Sequence, residues 1–125
     1  MSGVSLDAGA LVATERGDAN VRALLREAVR RGLEVHVVPE VVAQVWRGGP
    51  RQARLAALLA ARGVETPAYD VHAAREVGRL CGASATSDVV DAHVVWHARL
   101  HGHLVVTSDA GDLLAIDPDL RVVGV

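Results

Sequence analysis

Residues 87–109 of the chain read SDVVDAHVVWHARLHGHLVVTSD. The first part of this stretch, residues 87–100, predicts a helix, and Gly102 stands where a helix commonly ends. Residues 104–106 are apolar and mostly β-branched, which is typical of a short buried strand. Asp109 follows that strand closely. A helix that leads directly into a buried strand is a repeating unit of parallel α/β sheets.

The rest of the chain alternates between strand-like and helix-like segments in the same way. We predict strands at residues 4–6, 33–38, 104–106 and 122–125. We predict helices at residues 10–15, 20–31, 41–46, 52–61, 71–80, 87–100 and 110–115. This alternation indicates an α/β fold, a three-layer α/β/α sandwich around a central, mostly parallel sheet. No repeat or linker interrupts the pattern, so we expect one domain over residues 1–125.

The composition limits the function classes that the chain can serve. Its 125 residues include 13 basic side chains, all of them arginine, so a mechanism that requires a catalytic lysine is excluded. The single cysteine, Cys81, excludes a disulfide framework and a multi-cysteine zinc site. The start has no secretory pattern, and no apolar run approaches the roughly 20 residues of a membrane span. We therefore expect a cytoplasmic protein without a membrane segment.

The charge is distributed unevenly along the chain. The net charge of -2 taken whole argues mildly against a nucleic-acid partner. Residues 1–62 hold nine arginines and six acids, whereas residues 63–125 hold four arginines and nine acids. The acids of the second half therefore require an explanation, and a bound cation would supply one.

Three acids follow predicted strands: Asp7, Glu40 and Asp109. Ligands of an open parallel sheet bind at the carboxyl ends of its strands, so these acids lie where a site is expected. Each also has a purely structural explanation, because an acid that opens a helix can cap it, and a cap contributes about 1 kcal/mol.

Asp91 is harder to explain by structure alone. In the predicted helix it shares one face with Val94, Val95 and Ala98, which predicts a buried charge. Such a charge is costly unless it is paired or bound to a cation. Asp88 lies one turn earlier on the same side. Several carboxylates and no lysine favour Mg²⁺ or Mn²⁺, which bind oxygen ligands and support phosphodiester hydrolysis.

Three histidines, His93, His97 and His101, recur at a spacing of four residues. This spacing can chelate zinc, but Val94 stands where a metalloprotease helix has its glutamate. His93 lies about 200° around the helix from Asp91, so the two cannot share an ion. We interpret the three histidines as a solvated or partner-facing side of the helix.

Three motifs together resemble a known family. They are LDAGAL at residues 6–11, SDVVDA at 87–92 and TSDAGDL at 107–113. In this order and spacing they resemble the PIN domain, and within it the VapC-type toxins of bacterial toxin-antitoxin systems. The resemblance covers essentially the whole chain. It implies a PIN-like fold and a Mg²⁺-dependent ribonuclease, with Mn²⁺ as the other candidate ion.

The resemblance also assigns roles to individual residues. It implies Asp7, Asp91, Asp109 and Asp112 as catalytic, and the first three of these as metal ligands. Possible supporting residues are Asp88, Gln44, Glu40, Thr107 and Ser108. The implied partners are an RNA substrate and a cognate antitoxin, and such toxins often form homodimers. Arg47, Arg51 and Arg54 could steer phosphate groups, although a solvated helix face explains them equally well.

The chain departs from the family pattern at one position. The family's second acid is usually a glutamate, and Gln44 stands there. An amide oxygen can still orient a metal-bound water but should hold a second ion less tightly. Glu40, one turn earlier, could reach toward the same place, or could simply be an acid at the start of its helix.

Three other functions compete with a nuclease. A response-regulator receiver needs a lysine, which the chain lacks, and a haloacid-dehalogenase-like phosphatase needs Asp-x-Asp where Ala8 and Gly9 follow Asp7. The third competitor is a PIN fold whose site has weakened at Gln44 and which binds RNA or a partner without cleavage.

Overall fold

The fold is described from a computed structural model that covers residues 2–125. Its centre is a five-stranded sheet in the order β3-β2-β1-β4-β5, and every neighbouring pair is parallel. The strands are β1 (Gly3–Leu6), β2 (Glu34–His36), β3 (Val64–Glu65), β4 (Leu104–Thr107) and β5 (Val122–Gly124). The expectation of a central parallel sheet is confirmed.

Within residues 2–125, seven α-helices accompany the sheet. They are α1 (Ala8–Glu15), α2 (Ala19–Arg30), α3 (Pro39–Val45), α4 (Ala53–Ala60), α5 (Val71–Ser84), α6 (Val89–His101) and α7 (Ala110–Ile116). Helices α1 and α6 both contact β1, and they pack against different helices. Helix α1 packs with α2, α3 and α4, whereas α6 packs with α5 and α7. This is the predicted α/β arrangement, with helices covering a buried sheet.

Strand β1 is the middle strand of the sheet and is packed on all sides. All four residues of β1 are buried, because β2 and β4 flank the strand and α1 and α6 contact it. Strand β1 therefore reads as a short buried run rather than an alternating one, as expected for a parallel sheet.

The structure differs from the sequence-based elements at several boundaries. Strand β3 was not predicted, because two residues carry no periodicity, and it forms only by pairing with β2. The segment at 52–61 begins with a separate 3₁₀ turn at Pro50–Gln52. Helix α5 extends past the predicted residue 80, to Ser84.

The core lies between the helices and the sheet. Leu6, Leu11, Leu55 and Leu113 are among its largest fully buried side chains. Within residues 2–125, no helix combines the length and the apolar character that a membrane crossing requires.

Leu11 provides a test of this core. It is 0% exposed in α1, so Leu11→Ala should lower the free energy of unfolding by about 2–5 kcal/mol, measured by urea denaturation. Leu100→Ala makes the same truncation on a side chain that is 62% exposed, and should change stability by less than ~0.5 kcal/mol. Equal losses in the two variants would contradict the burial of α1.

Candidate active site

Two predicted acids meet at the carboxyl edge of the sheet because their strands are neighbours. Asp7 follows β1 and Asp109 lies two residues after β4. The backbone N–H of Asp7 donates to the carbonyl of Val106 at 3.1 Å, which continues the parallel ladder to the acid itself. The order of the strands therefore brings together residues that are a hundred positions apart.

Asp7 is both a helix cap and a buried acid. Its Oδ1 accepts a hydrogen bond from the N–H of Ala10 at 3.0 Å, so it caps α1. Its side chain lies in a buried position, and burial raises the pKa of this carboxyl. Hydrogen bonds from Thr107 and the backbone act in the opposite direction, and the nearby Asp109 raises the pKa further.

Asp91 lies in the first turn of α6, three residues after Asp88. Asp88 caps the helix by accepting hydrogen bonds from the N–H groups of Val90 and Asp91 at 3.1 and 3.0 Å. Asp91 is half-buried, and burial is the main cause that raises its pKa from 3.8 to about 6. The carboxylates of Asp88, Asp112 and Asp7 add to this increase. Because three other carboxylates contribute to the raised pKa, several negative charges lie close to Asp91.

The loop after β4 presents the remaining acids. Buried Thr107 accepts a hydrogen bond from the N–H of Asp109 at 2.8 Å, which fixes the loop. Asp109 caps α7, and its carboxylate raises the pKa of the exposed Asp112. Gly9 lets this loop approach α1 closely, because a Cβ there would lie 1.8 Å from the Oγ of Ser108.

A cavity of about 240 Å³ lies between these elements. Its polar lining consists of Asp7, Asp88, Asp91, Asp109, Asp112, Gln44 and Ser108. Gln44 thus reaches the cavity from α3, at the position that the sequence resemblance indicated.

Other predicted residues do not reach this cavity. The carboxylate of Glu40 instead pairs with the Nδ1 of His93 at 2.6 Å, so Glu40 does not compensate for Gln44 in this structure. Arg47, which follows α3, donates to the carbonyls of Ala43 and Trp46. Arg51 is exposed in the 3₁₀ turn, and neither arginine lines the acidic cavity.

Arg16 was not among the residues predicted from the sequence. It lines a second cavity, of about 480 Å³, that shares Gly9 and Ser108 with the acidic one. The second cavity therefore adjoins the carboxylates. Arg16 follows α1, the helix that Asp7 opens, and this position is the sequence signal that could have identified it.

The expectation of a solvated or partner-facing histidine side is wrong for two of its three members, which are buried within this chain. His93 and His97 are buried, because α6 is enclosed by the sheet and by α5 and α7 and has few exposed sides. His101 is exposed. Burial and neighbouring histidines lower the pKa of His97 to about 3, so its imidazole is neutral near pH 7.

The acidic residues fit a divalent metal ion in their chemistry. The cavity lining supplies carboxylate and amide oxygens, the ligands of hard cations such as Mg²⁺. It includes no arginine to offset five aspartates. Mg²⁺ keeps several waters and needs only one or two carboxylates, so an open acidic cavity suits it.

Comparisons with known proteins agree with this geometry. The model of a protein family described as PIN domain matches residues 4–117. A search of curated proteins returns no match.

Several solved structures share the fold. VapBC2 from Rickettsia felis, bound to a DNA fragment from its promoter, aligns with a TM-score of 0.73 and 14% identity, over 98% of each chain. FitAB bound to the IR36 DNA fragment aligns with a TM-score of 0.65 and 16% identity, over 97% of this chain and 94% of that one. FitAcB from Neisseria gonorrhoeae aligns with a TM-score of 0.61 and 16% identity, over 95% of each. At these identities the likeness shows the fold alone.

Asp91 allows a test of the charge repulsion in the absence of metal. Its pKa in the folded state, about 6, exceeds the usual 3.8, so the folded protein binds the proton more tightly. Stability should therefore fall as the pH rises through this window. Asp91→Asn stays neutral, so in EDTA at pH 7.5 it should raise Tm by a few degrees, and the gain should shrink toward pH 4.

Calorimetry with a matched variant checks this prediction. Asp119→Asn removes an exposed acid from the loop before β5, outside the acidic cavity, and should leave Tm nearly unchanged. Added Mg²⁺ should raise the Tm of the wild type more than that of Asp91→Asn. A lower Tm for Asp91→Asn in EDTA at pH 7.5 would contradict the raised pKa of Asp91.

Proposed function

Because the chain belongs to the PIN domain family, whose members are generally metal-dependent nucleases, we propose that it is a Mg²⁺-dependent ribonuclease and the toxin of a toxin-antitoxin pair. One observation carries the proposal. Five aspartates from three different helix starts line one cavity, where burial first and then the neighbouring carboxylates raise the pKa of Asp91 to about 6.

In this proposal Asp7, Asp91 and Asp109 hold the ion, with Asp112 completing the catalytic acids. A divalent cation bound there supplies positive charge for a phosphoryl oxygen and acidifies a water. The protein supplies the position of each acid. The cap hydrogen bond to Ala10 orients Asp7, and the hydroxyl of Thr107 holds the backbone of Asp109.

The substrate must overcome the negative charge of the cavity. RNA phosphates are repelled by free carboxylates, so the bound cation is also needed for the substrate to approach. Arg16 lines the adjoining cavity and is better placed than Arg47 or Arg51 to contact a phosphate next to the site. We propose that the RNA strand crosses from the acidic cavity toward Arg16.

Gln44 favours one alternative, a PIN fold that binds RNA or a partner without cleaving. Its neutral amide lines the cavity in place of a carboxylate, and Glu40 is held by His93 instead of substituting for it. A weaker metal site would follow from this arrangement.

The structural neighbours suggest a protein partner. Both VapBC2 and FitAB are complexes, and both were determined with DNA. By analogy we propose that a cognate antitoxin binds this chain and that a basic segment of it covers the acidic cavity. We also propose a homodimer, a cytoplasmic location and a single domain over residues 1–125.

The ribonuclease proposal predicts metal-dependent cleavage. Purified protein should cut a mixed-sequence RNA pool in Mg²⁺ or Mn²⁺, and EDTA should stop the reaction. Asp7→Asn and Asp91→Asn should each lower the cleavage rate by at least ~100-fold, because each removes a metal ligand. Asp119→Asn should cleave like the wild type. Folded wild-type protein that binds RNA but cuts none with either ion would support the binding module instead.

Gln44→Glu tests the departure from the family pattern. A glutamate at this place adds a carboxylate to the cavity, so the variant should bind Mn²⁺ about 10-fold more tightly and cleave faster at limiting metal. Calorimetric titration measures the metal affinity, and the cleavage assay measures the rate. Gln52→Glu is not a suitable control, because Gln52 is buried and hydrogen-bonded. Gln44→Ala is the matched control and should show no gain. An unchanged Mn²⁺ affinity in Gln44→Glu would show that residue 44 does not contribute to the metal site.

A further inference from the structure

A second group of potential ligands lies away from the acidic cavity. His36 ends β2, His97 lies in the second half of α6, and His103 immediately precedes β4. We call these three residues the histidine cluster. His97 follows Asp91 by six residues on α6, about 9 Å along the helix axis. The cluster and the acidic cavity thus occupy different ends of the same helix.

The three side chains converge in the interior. All three are buried, at 6%, 4% and 3% exposure for His36, His97 and His103. Each offers one ring nitrogen, and these three atoms lie within 4.8 Å of one another. Among residues 2–125, no other three His, Cys, Asp or Glu side chains form such a group.

Hydrogen bonds to the far side of two rings leave the other nitrogen available. The Nε2 of His36 lies 2.8 Å from the carboxylate of Glu34, and the Nδ1 of His103 lies 2.9 Å from the hydroxyl of Ser5. The Nδ1 of His36, on the opposite side of its ring, forms a 2.8 Å hydrogen bond with the Nε2 of His97. A carboxylate behind the imidazole, as Glu34 provides for His36, is a usual support of a metal-binding histidine.

The backbone also makes room for the cluster. A Cβ on Gly3 would lie 2.8 Å from the Nε2 of His103 and 2.6 Å from the carbonyl oxygen of Glu34. Only glycine at the start of β1 therefore lets the His103 ring lie against the strand. This close approach brings the third histidine to the other two.

We propose that His36, His97 and His103 bind one Zn²⁺-class transition-metal ion, at a site distinct from the acidic one. Three imidazoles without an oxygen ligand suit Zn²⁺ or Co²⁺ and not Mg²⁺. Zinc–nitrogen bonds of about 2.0–2.1 Å replace the hydrogen bond between His36 and His97. The exposed His101, whose ring centre lies 4.3 Å from that of His97, marks the side from which the ion enters.

Such an ion would tie together distant parts of the chain. Its ligands belong to β2, to α6 and to the turn before β4, so the ion would join β2 to the α6–β4 connection. Zinc should therefore raise Tm, by mass action on the folded state.

The experiment measures zinc binding to untagged protein stripped with a chelator and then held in excess Mg²⁺. We expect one equivalent of Zn²⁺ per chain, a Tm that rises with Zn²⁺ concentration, and visible absorption bands when Co²⁺ replaces it. His36→Gln, His97→Gln and His103→Gln should each weaken binding at least ~100-fold. Glu34→Gln, which removes only the support behind His36, should weaken it about 10–100-fold.

Two variants serve as controls. His72→Gln alters an exposed histidine of α5, and Asp91→Asn alters the acidic cavity; both should keep the zinc equivalent. If a cluster variant does not fold, nitrogen NMR of the wild-type imidazoles decides, because Zn²⁺ should shift His36, His97 and His103 but not His72. Any of three results would overturn the proposal. These are a wild type that binds no zinc, cluster variants that bind it as tightly as the wild type, and a loss of zinc binding in Asp91→Asn. The experiment measures metal binding and not RNA cleavage. A negative result would therefore overturn the zinc proposal without bearing on the proposed ribonuclease function.

Discussion

The pairing of β1 with β4 is the contact on which the acidic site depends. It places the strand that ends before Asp7 beside the strand that leads to Asp109, so their carboxylates meet at one edge of the sheet. Helix α6 then adds Asp91, whose pKa is raised to about 6 by burial and, to a smaller extent, by the neighbouring carboxylates. The folded chain accepts this repulsion at a cost in stability, as is common where a site must hold charge.

Three of the acids that line the cavity are also helix caps. Asp7, Asp88 and Asp109 each cap a helix, with backbone N–H groups as donors. A capped acid is fixed by the backbone, so its free oxygen points in a defined direction without further support. The structural and the functional explanations of these acids are therefore compatible, and removing one of these side chains should affect both.

Helix α6 has different donor atoms at its two ends. Its first turn presents oxygen donors to the acidic cavity, whereas its second half presents the imidazole of His97 to the histidine cluster. Hard metal ions such as Mg²⁺ prefer oxygen donors, and borderline ions such as Zn²⁺ prefer imidazole nitrogen. The one helix therefore presents oxygen donors at its start and a nitrogen donor in its second half.

The sequence by itself determined the parallel α/β class, most helices, and the acids of the cavity, because strand ends and helix starts are local signals. It also located Gln44 as the departure from the family pattern. The tertiary structure alone decided the two-residue strand β3, the pairing of Glu40 with His93, and the closeness of Arg16 to the acids. It also showed that His97 is buried beside His36, which is 61 residues away. Spacing along one helix could not reveal that contact, because it depends on which strand packs against the helix.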